Sequence, residues 1–513
     1  MSALFRPVAT FATMLALAGC ASMPPERGYT ETRDLILRQR ALPSTWSPLQ
    51  PDLAPALPER PLTVDDAVVS AFFRNPSLRE EYARLGIGRA ELEDARRLAN
   101  PTLGYARLSP RDGEGVQIAR SVSLGLTDLL LLPSRKRLAE GELERLQHAV
   151  AGAALKLATE VEIAWYRAVA ARQVAAMRDL VAIAAERSAA LAQRFFDAGN
   201  INRLQLEQER AAASMARIDA VSAAADALRA RSDLAALLGL STGEDWETLS
   251  LLPAPRAIEY DADALLALAM ETRLDLSAAR RSVDVREDAL KSTRRWRWLG
   301  DVEIGYERES ELDGGTIRGP TASLQLPIFN QGQGAVGRAE AELLQARAEF
   351  DAARLSVQNE TRLGLDALQV AHTIAESYRT QLVPEREAIV ARTQEQVNYM
   401  LVGVFELLLA KQQEYDAYQA YLEAVRDYWI ARAELRGAVG GRLPDDDVAS
   451  EATIGVDSLL TPMAEPPPDP HAGHGQHHAD ESDSSHESHE SHESHESHES
   501  DESEHEHHHG VQP

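Results

Sequence analysis

No proline interrupts the chain from Ser134 to Leu252, and no glycine lies between Gly152 and Gly199. Ala, Leu, Glu and Arg fill this stretch, residues that give up little freedom on entering a helix. The pattern predicts one nearly continuous helix over Ser134–Ala198, roughly 100 Å long at 1.5 Å per residue. Such a helix cannot wrap around one compact core. It needs lateral neighbours along its whole length. At Gly199-Asn200-Ile201-Asn202 the chain turns, with residues suited to a left-handed helix end followed by a new N-cap. A second helix returns over 203–238 and stops at Gly239.

The same order of elements occurs twice, at an offset near 198. Thr63 is an N-cap candidate before the acidic turn Asp65-Asp66. That helix is interrupted at Asn75-Pro76, restarts at Ser77 and runs to about Ala99. Strands are expected at Thr102–Ser109 and Val116–Leu126, then the long hairpin. In the second copy, Asp261–Arg295 is helical, strands follow at Asp301–Ser310 and Thr316–Leu326, and a long helix spans Ala335–Met400 with a kink at Pro384. A turn at Val402-Gly403-Val404 leads to a return helix ending at Gly440-Gly441. The second strand-to-helix junction contains Pro327, Gly332 and Gly334, which would end the ladder and bend the chain. The first junction, Thr127–Pro133, is leucine-rich and lacks those glycines.

The strands constrain the environment. Val116, Ile118, Val122, Leu124 and Leu126 share one face, and Gln117, Ala119, Ser121, Ser123 and Gly125 the other; Arg120 breaks the apolar side. One solution is a soluble four-stranded sheet packed on helices. The other is a membrane barrel with lipid outside and a polar lumen inside. Four strands cannot close a barrel, since barrels start at about eight. Three copies would supply twelve.

The ends differ from the body. Arg6 and the short apolar run Val8–Ala18 read as a secretory signal, ending Leu17-Ala18-Gly19-Cys20-Ala21. This resembles a bacterial lipobox, in which the cysteine is acylated. Cys20 is the sole cysteine, so no intramolecular disulfide forms. The organisation expected is a signal peptide at 1–19, a lipidated, proline-rich, extended linker at 20–61, repeats at 62–252 and 253–442, and a disordered acidic tail at 443–513. Of the net charge of −27, that tail carries −19. The charge therefore marks a tail and gives no sign of nucleic-acid binding. The tail also holds His471, His474, His477, His478, His486, His489, His492, His495, His498, His505, His507, His508 and His509. Imidazoles beside glutamates are good ligands for Zn²⁺, Cu²⁺ or Ni²⁺, and a flexible chain gathers several at once. A merely solubilising tail is the bland alternative.

Leu62-Thr63-Val64-Asp65-Asp66-Ala67, Asn75-Pro76-Ser77-Leu78, Ala99–Leu103, Leu326–Gly334 and Asp427–Leu435 together resemble the TolC-type outer membrane efflux protein family. Within it they are most similar to the outer membrane factors of heavy-metal resistance-nodulation-division pumps, the CzcC/CusC-like group. The resemblance implies a mainly α fold with a small β part. It implies a homotrimer with a 12-stranded transmembrane β-barrel, continued by a long periplasmic α-helical barrel. Gly199, Asn200, Ile201 and Asn202, with Val402, Gly403, Val404 and Phe405, would be the periplasmic tips that meet an adaptor protein coupled to an inner-membrane pump. The chain would sit in the outer membrane, lipid-anchored, and export heavy-metal cations (copper/silver or zinc/cobalt/cadmium) by passive conduction. Drug or protein export is the alternative within this fold. A pore-less, metal-sequestering periplasmic lipoprotein is the alternative from another class.

No catalytic constellation appears, so the chain is not expected to be an enzyme, and no cofactor is required. Gly332-x-Gly334-x-x-Gly337 lacks the surrounding βαβ unit of a nucleotide site and reads as a backbone bend. Asp197, Glu395 and Glu406 near the tips are candidates for a cation-selecting ring, or else are solvated or pair with Arg194 or Arg203. Met400 is expected to pack in a core, and His148 and His372 to serve as surface or packing residues.

Overall fold

The computed structural model describes residues 29–40, 56–109, 111, 115–241, 244–257, 259–311, 313–446 and 453–454. Helix α1 (Tyr29–Gln39) precedes the first repeat: α2 (Val64–Arg74), α3 (Pro76–Ala95), β1 (Thr102–Leu108), β2 (Gln117–Gly125), α4 (Leu126–Asp197) and α5 (Arg203–Leu238). A two-residue strand, β3 (Leu252–Pro253), links to the second: α6 (Ala262–Thr272), α7 (Leu274–Trp296), β4 (Val302–Ser310), β5 (Thr316–Leu324) and α8 (Gln333–Ser377). A π-helical turn at Tyr378–Leu382 leads into α9 (Val383–Asn398), then α10 (Val404–Val439) and β6 (Thr453–Ile454). The π turn lies directly ahead of Pro384, which sits in the first turn of α9, so the missing amide of Pro384 falls where the helix register already changes.

Local chemistry explains most boundaries. Thr63 caps α2 in a full capping box with Asp66, and Asn75 caps α3 just ahead of Pro76. The equivalent break in the second repeat falls at Arg273, where no proline marks it, so the single helix expected over Asp261–Arg295 is in fact two. Arg273 has the extended backbone of Asn75 (ψ 115° against 124°). Its guanidinium bonds Asp275 at 2.6 Å, Glu360 at 2.8 Å and the Ala438 carbonyl at 3.1 Å, so tertiary partners hold this break in place of a ring.

The sheet has the order β1-β2-β4-β5, all antiparallel, joining the two hairpins through β2 and β4. Among the described residues β1 and β5 each keep one unpaired edge. The core lies in the helical body. Trp165 donates its indole N–H to the Leu62 carbonyl at 3.0 Å, and Trp429, in the return helix of the second repeat, to that of Pro253 at 2.8 Å. Tyr166 stacks on Trp429 with centroids 5.4 Å apart, welding α4 to α10. No described helix is long and apolar enough to cross a membrane, which leaves the β-barrel question untouched.

Three expectations about the ends and junctions are corrected. The stretch expected to be an extended linker contains α1, whose Tyr29, Thr32 and Ile36 are buried. Order does not stop at 442. Leu443 is buried, Asp445 and Asp446 bond Arg432, and β6 pairs with β3. Finally, α4 starts at Leu126 and not at Ser134, running straight out of β2 and through Pro133. Cys20, the signal segment 1–19 and all thirteen tail histidines lie outside the described residues.

Candidate functional site

The sheet register sorts every side chain to a face. One face carries Leu103, Val122, Tyr306 and Pro320 on one rung, Leu124, Ile304 and Ala322 on another, and Val302 with Leu324 at the helix end. The other face carries Ser121, Ser123, Gly305, Gly319 and Thr321, with Glu303, Glu307 and Glu309 all on β4, and the apolar Leu108 and Ile317 toward the hairpin end. The Ser123 hydroxyl donates to Glu303, and the Gln117 amide to Glu309. One strand thus holds three carboxylates on one surface, each two or four residues from the next, while the opposite surface is apolar from Val302 to Tyr306.

The junction between sheet and helices is a hydrogen-bonded knot. The Thr127 hydroxyl, in the first turn of α4, donates to the Gly300 carbonyl at 3.0 Å and accepts from the Val302 amide at 2.8 Å. The Gln325 amide donates to the Asp301 carbonyl at 2.8 Å. Of the glycines expected to bend the second junction, Gly332 does so, with φ +76° as the N-cap of α8 and its amide bonded to Asn330. Gly334 lies inside α8 with open space around it, so it is not part of the turn. Around the junction Leu326, Ile328, Phe329 and Trp298 are exposed, Phe329 at 96%.

The far ends of the long helices match one another. After α4, the Asn200 amide bonds the Phe195 carbonyl and the Gly199 amide the Phe196 carbonyl, with Gly199 at φ +76°. After α9, the Leu401 amide bonds Gln396 and the Met400 amide Val397, with Met400 at φ +58°. Both are Schellman endings. Met400 is the one non-glycine at positive φ among the described residues and is 92% exposed, so it does not pack in a core. A left-handed conformation costs an L-residue about 1–2 kcal/mol. Glycine gives back about 0.5–1 kcal/mol of this in chain entropy, so Met400→Gly should slow amide exchange at Leu401 by about two- to fivefold. Faster exchange in the variant would show that the Met400 side chain, not its backbone, holds the tip.

Asn202 begins α5 with a capping box to Gln205, and Gly403 is the N-cap of α10; Ile201 and Val402 lie in the two turns, while Val404 and Phe405, expected in the second turn, are the first residues of α10. Of the tip carboxylates, Asp197 accepts from Gln193 at 2.7 Å and Glu395 pairs with Arg392 at 3.0 Å, neither with Arg194 or Arg203. Glu406 lies in the first turn of α10. His148 is half-buried, and burial with the nearby Arg281 charge holds its imidazole below the usual range. His372 packs on Tyr428 at 5.9 Å. Among the described residues no three His, Cys, Asp or Glu side chains gather to hold a metal.

A group that the sequence offers no signal for lies in the helical body. Glu162, fully buried in α4, pairs with Arg40 and with Arg436, the latter at 2.9 Å. Arg436 also bonds Asp446 at 2.7 Å, and Arg432 bonds Asp445 at 3.0 Å and Asp446 at 2.9 Å. Glu162 reads in sequence like any other glutamate of a long helix.

No family model matches the chain. It is 25% identical over 336 residues to the cobalt-zinc-cadmium resistance protein CzcC of Cupriavidus metallidurans, covering 64% of this chain and 78% of that protein. Its fold is that of solved channels. CusC, studied for its folding and transmembrane channel formation, superposes with a TM-score of 0.63 at 16% identity, over 76% of this chain and 100% of that one. The Campylobacter jejuni CmeC outer membrane channel gives 0.64 at 14% identity, over 74% and 85%.

Proposed function

We propose that this chain, whose fold is that of solved outer membrane channels and which resembles CzcC in sequence, is a TolC-type outer membrane channel of a tripartite system exporting heavy-metal cations. The relative CzcC is a cobalt-zinc-cadmium resistance protein. The observation that carries the reading is the sheet. Its apolar face suits lipid, and its polar face suits a lumen whose charge comes from Glu303, Glu307 and Glu309. Three copies joined through the free edges of β1 and β5 make twelve strands, with three such carboxylates from each copy. A negative wall concentrates cations and repels anions without any energy-coupled step. The helical body then extends into the periplasm, its tips at Gly199–Asn202 and Leu401–Phe405 meeting an adaptor and, through it, an inner-membrane pump. Acylation of Cys20 adds an anchor.

Glu303→Gln/Glu307→Gln/Glu309→Gln tests this in planar bilayers. The wild type is expected to prefer cations over anions by at least about fivefold, and the variant to fall to near unity. An anion-selective wild type would remove the proposal. A panel of Zn, Co, Cd, Cu and Ag against drugs then separates metal export from the alternative cargo.

The histidine-rich tail is proposed to hold divalent metal or copper outside the pore. Deleting residues 466–513 should abolish most Zn²⁺ or Cu²⁺ binding by the purified protein while leaving conductance intact. Unchanged binding would make the tail a solubilising segment.

A further inference from the structure

The apolar face of the sheet is not apolar to its end. Tyr105, Arg120, Arg308 and Arg318 are Cα partners across all four strands, a single rung on which three neighbouring positions are arginine. Arg107 follows on the next rung of the same face. All four guanidinium side chains are exposed, and among the described residues none has a hydrogen bond or ion pair. Arginines elsewhere in the chain, such as Arg273, Arg432 and Arg436, are held by carboxylates. The nearest glutamates, Glu307 and Glu309, occupy the opposite face.

Directly opposed like charges on adjacent strands are destabilising, because side chains there stand about 5 Å apart. An external anion would relieve three in a row. The rung lies six residues beyond Val302, about 20 Å from the helix end of the sheet at 3.3 Å per residue. Between them the face is Leu, Val, Ile, Tyr, Ala and Pro. The row therefore stands at the hairpin end of the apolar band, where lipid tails give way to headgroups on the side opposite the long helices.

We propose that Arg120, Arg308 and Arg318, with Arg107, form a binding row for the phosphate groups of an outer-leaflet lipid. The guanidinium fork matches phosphate oxygens two at a time, and a row of three on neighbouring strands suits a headgroup carrying more than one phosphate. The headgroup neutralises the rung, and each copy is tethered to the outer leaflet at a fixed depth. This rests on the reading that the apolar face meets lipid.

The test uses the full-length assembled protein, delipidated in detergent. It is titrated with lipid A and with the same lipid A stripped of both phosphates, and binding is read by native mass spectrometry. The wild type should bind the phosphorylated form at least about tenfold more tightly. Arg120→Gln/Arg308→Gln/Arg318→Gln should bind both forms alike. Equal binding by the wild type, or a preference kept by the variant, would overturn the row. Excess inorganic phosphate should not displace the lipid; displacement would also overturn it in favour of a free-anion site. If the triple variant does not assemble, Arg318→Gln on the edge strand decides, with an expected loss of about threefold. Failure of the wild type to conduct at all in bilayers would instead remove the channel reading beneath this one.

Discussion

Gly300→Ala is expected to reduce assembled oligomer in the outer membrane at least tenfold. A Cβ built on Gly300 would stand 1.6 Å from the Gln325 carbonyl oxygen and 2.7 Å from its carbon. Both are backbone atoms of the strand end, so no side chain can rotate away. The strand end is itself fixed, because Gln325 bonds Asp301 and the Gly300 carbonyl is already the acceptor for Thr127. Relief requires parting the start of β4 from the end of β5 or breaking the bonds of Thr127 to Gly300 and Val302. Overpacking of this kind costs about 3 kcal/mol or more. Gly334→Ala is the control. It lies within a helix in open space, and alanine there should be harmless or stabilising by up to about 1 kcal/mol. The measurement is the yield of heat-resistant oligomer in outer membrane fractions. Wild-type yield from Gly300→Ala would mean the junction is looser than its hydrogen bonds imply.

That contrast shows what a sequence can and cannot carry. The strands fell within two residues of their expected ends because alternation, prolines and polar turns are local signals. The hairpin tips were legible for the same reason at Gly199 and Asn202. Gly332 and Gly334 looked equivalent in sequence, and only the backbone angle separates them. Gly300 carried no signal, since its need for a missing side chain comes from a strand end 25 residues away. The break at Arg273 was hidden likewise, being held by Glu360 and Ala438. Arg120 was visible as an interruption of an apolar face. Its meaning depended on Arg308 and Arg318 arriving on the same rung, which only the register supplies.

Glu162→Ala is expected to release the chain ends from the helical body. Glu162 is 0% exposed and compensates two cations, Arg40 beyond α1 and Arg436 in α10. A buried pair is weak evidence for stability by itself, because desolvation opposes the attraction. Removing one partner is a different matter, for it leaves the other charge buried and unpaired, at about 3–5 kcal/mol. Here two guanidiniums are stranded. Arg436 retains Asp446, so the damage should concentrate on Arg40 and on α1, which has no comparable second anchor among the described ion pairs. Amide exchange over Tyr29–Gln39 should quicken by roughly 100-fold in the variant, while α5 is unchanged. Arg40→Ala should cost less, since Glu162 keeps Arg436. Acid offers a second approach to the same clasp. Burial alone would raise the Asp446 pKa, but Arg436 and Arg432 together with the Leu443 amide outweigh it and hold the carboxyl below its usual range. Its contribution is therefore present above the unfolded value of about 3.9 and is lost as pH falls through the folded one. Protection of 443–446 should fall below pH 4 in wild type and variant alike. Unchanged α1 exchange in Glu162→Ala at neutral pH would show that water already reaches Arg40, and that the apolar contacts of Tyr29 and Ile36 alone hold the helix in place.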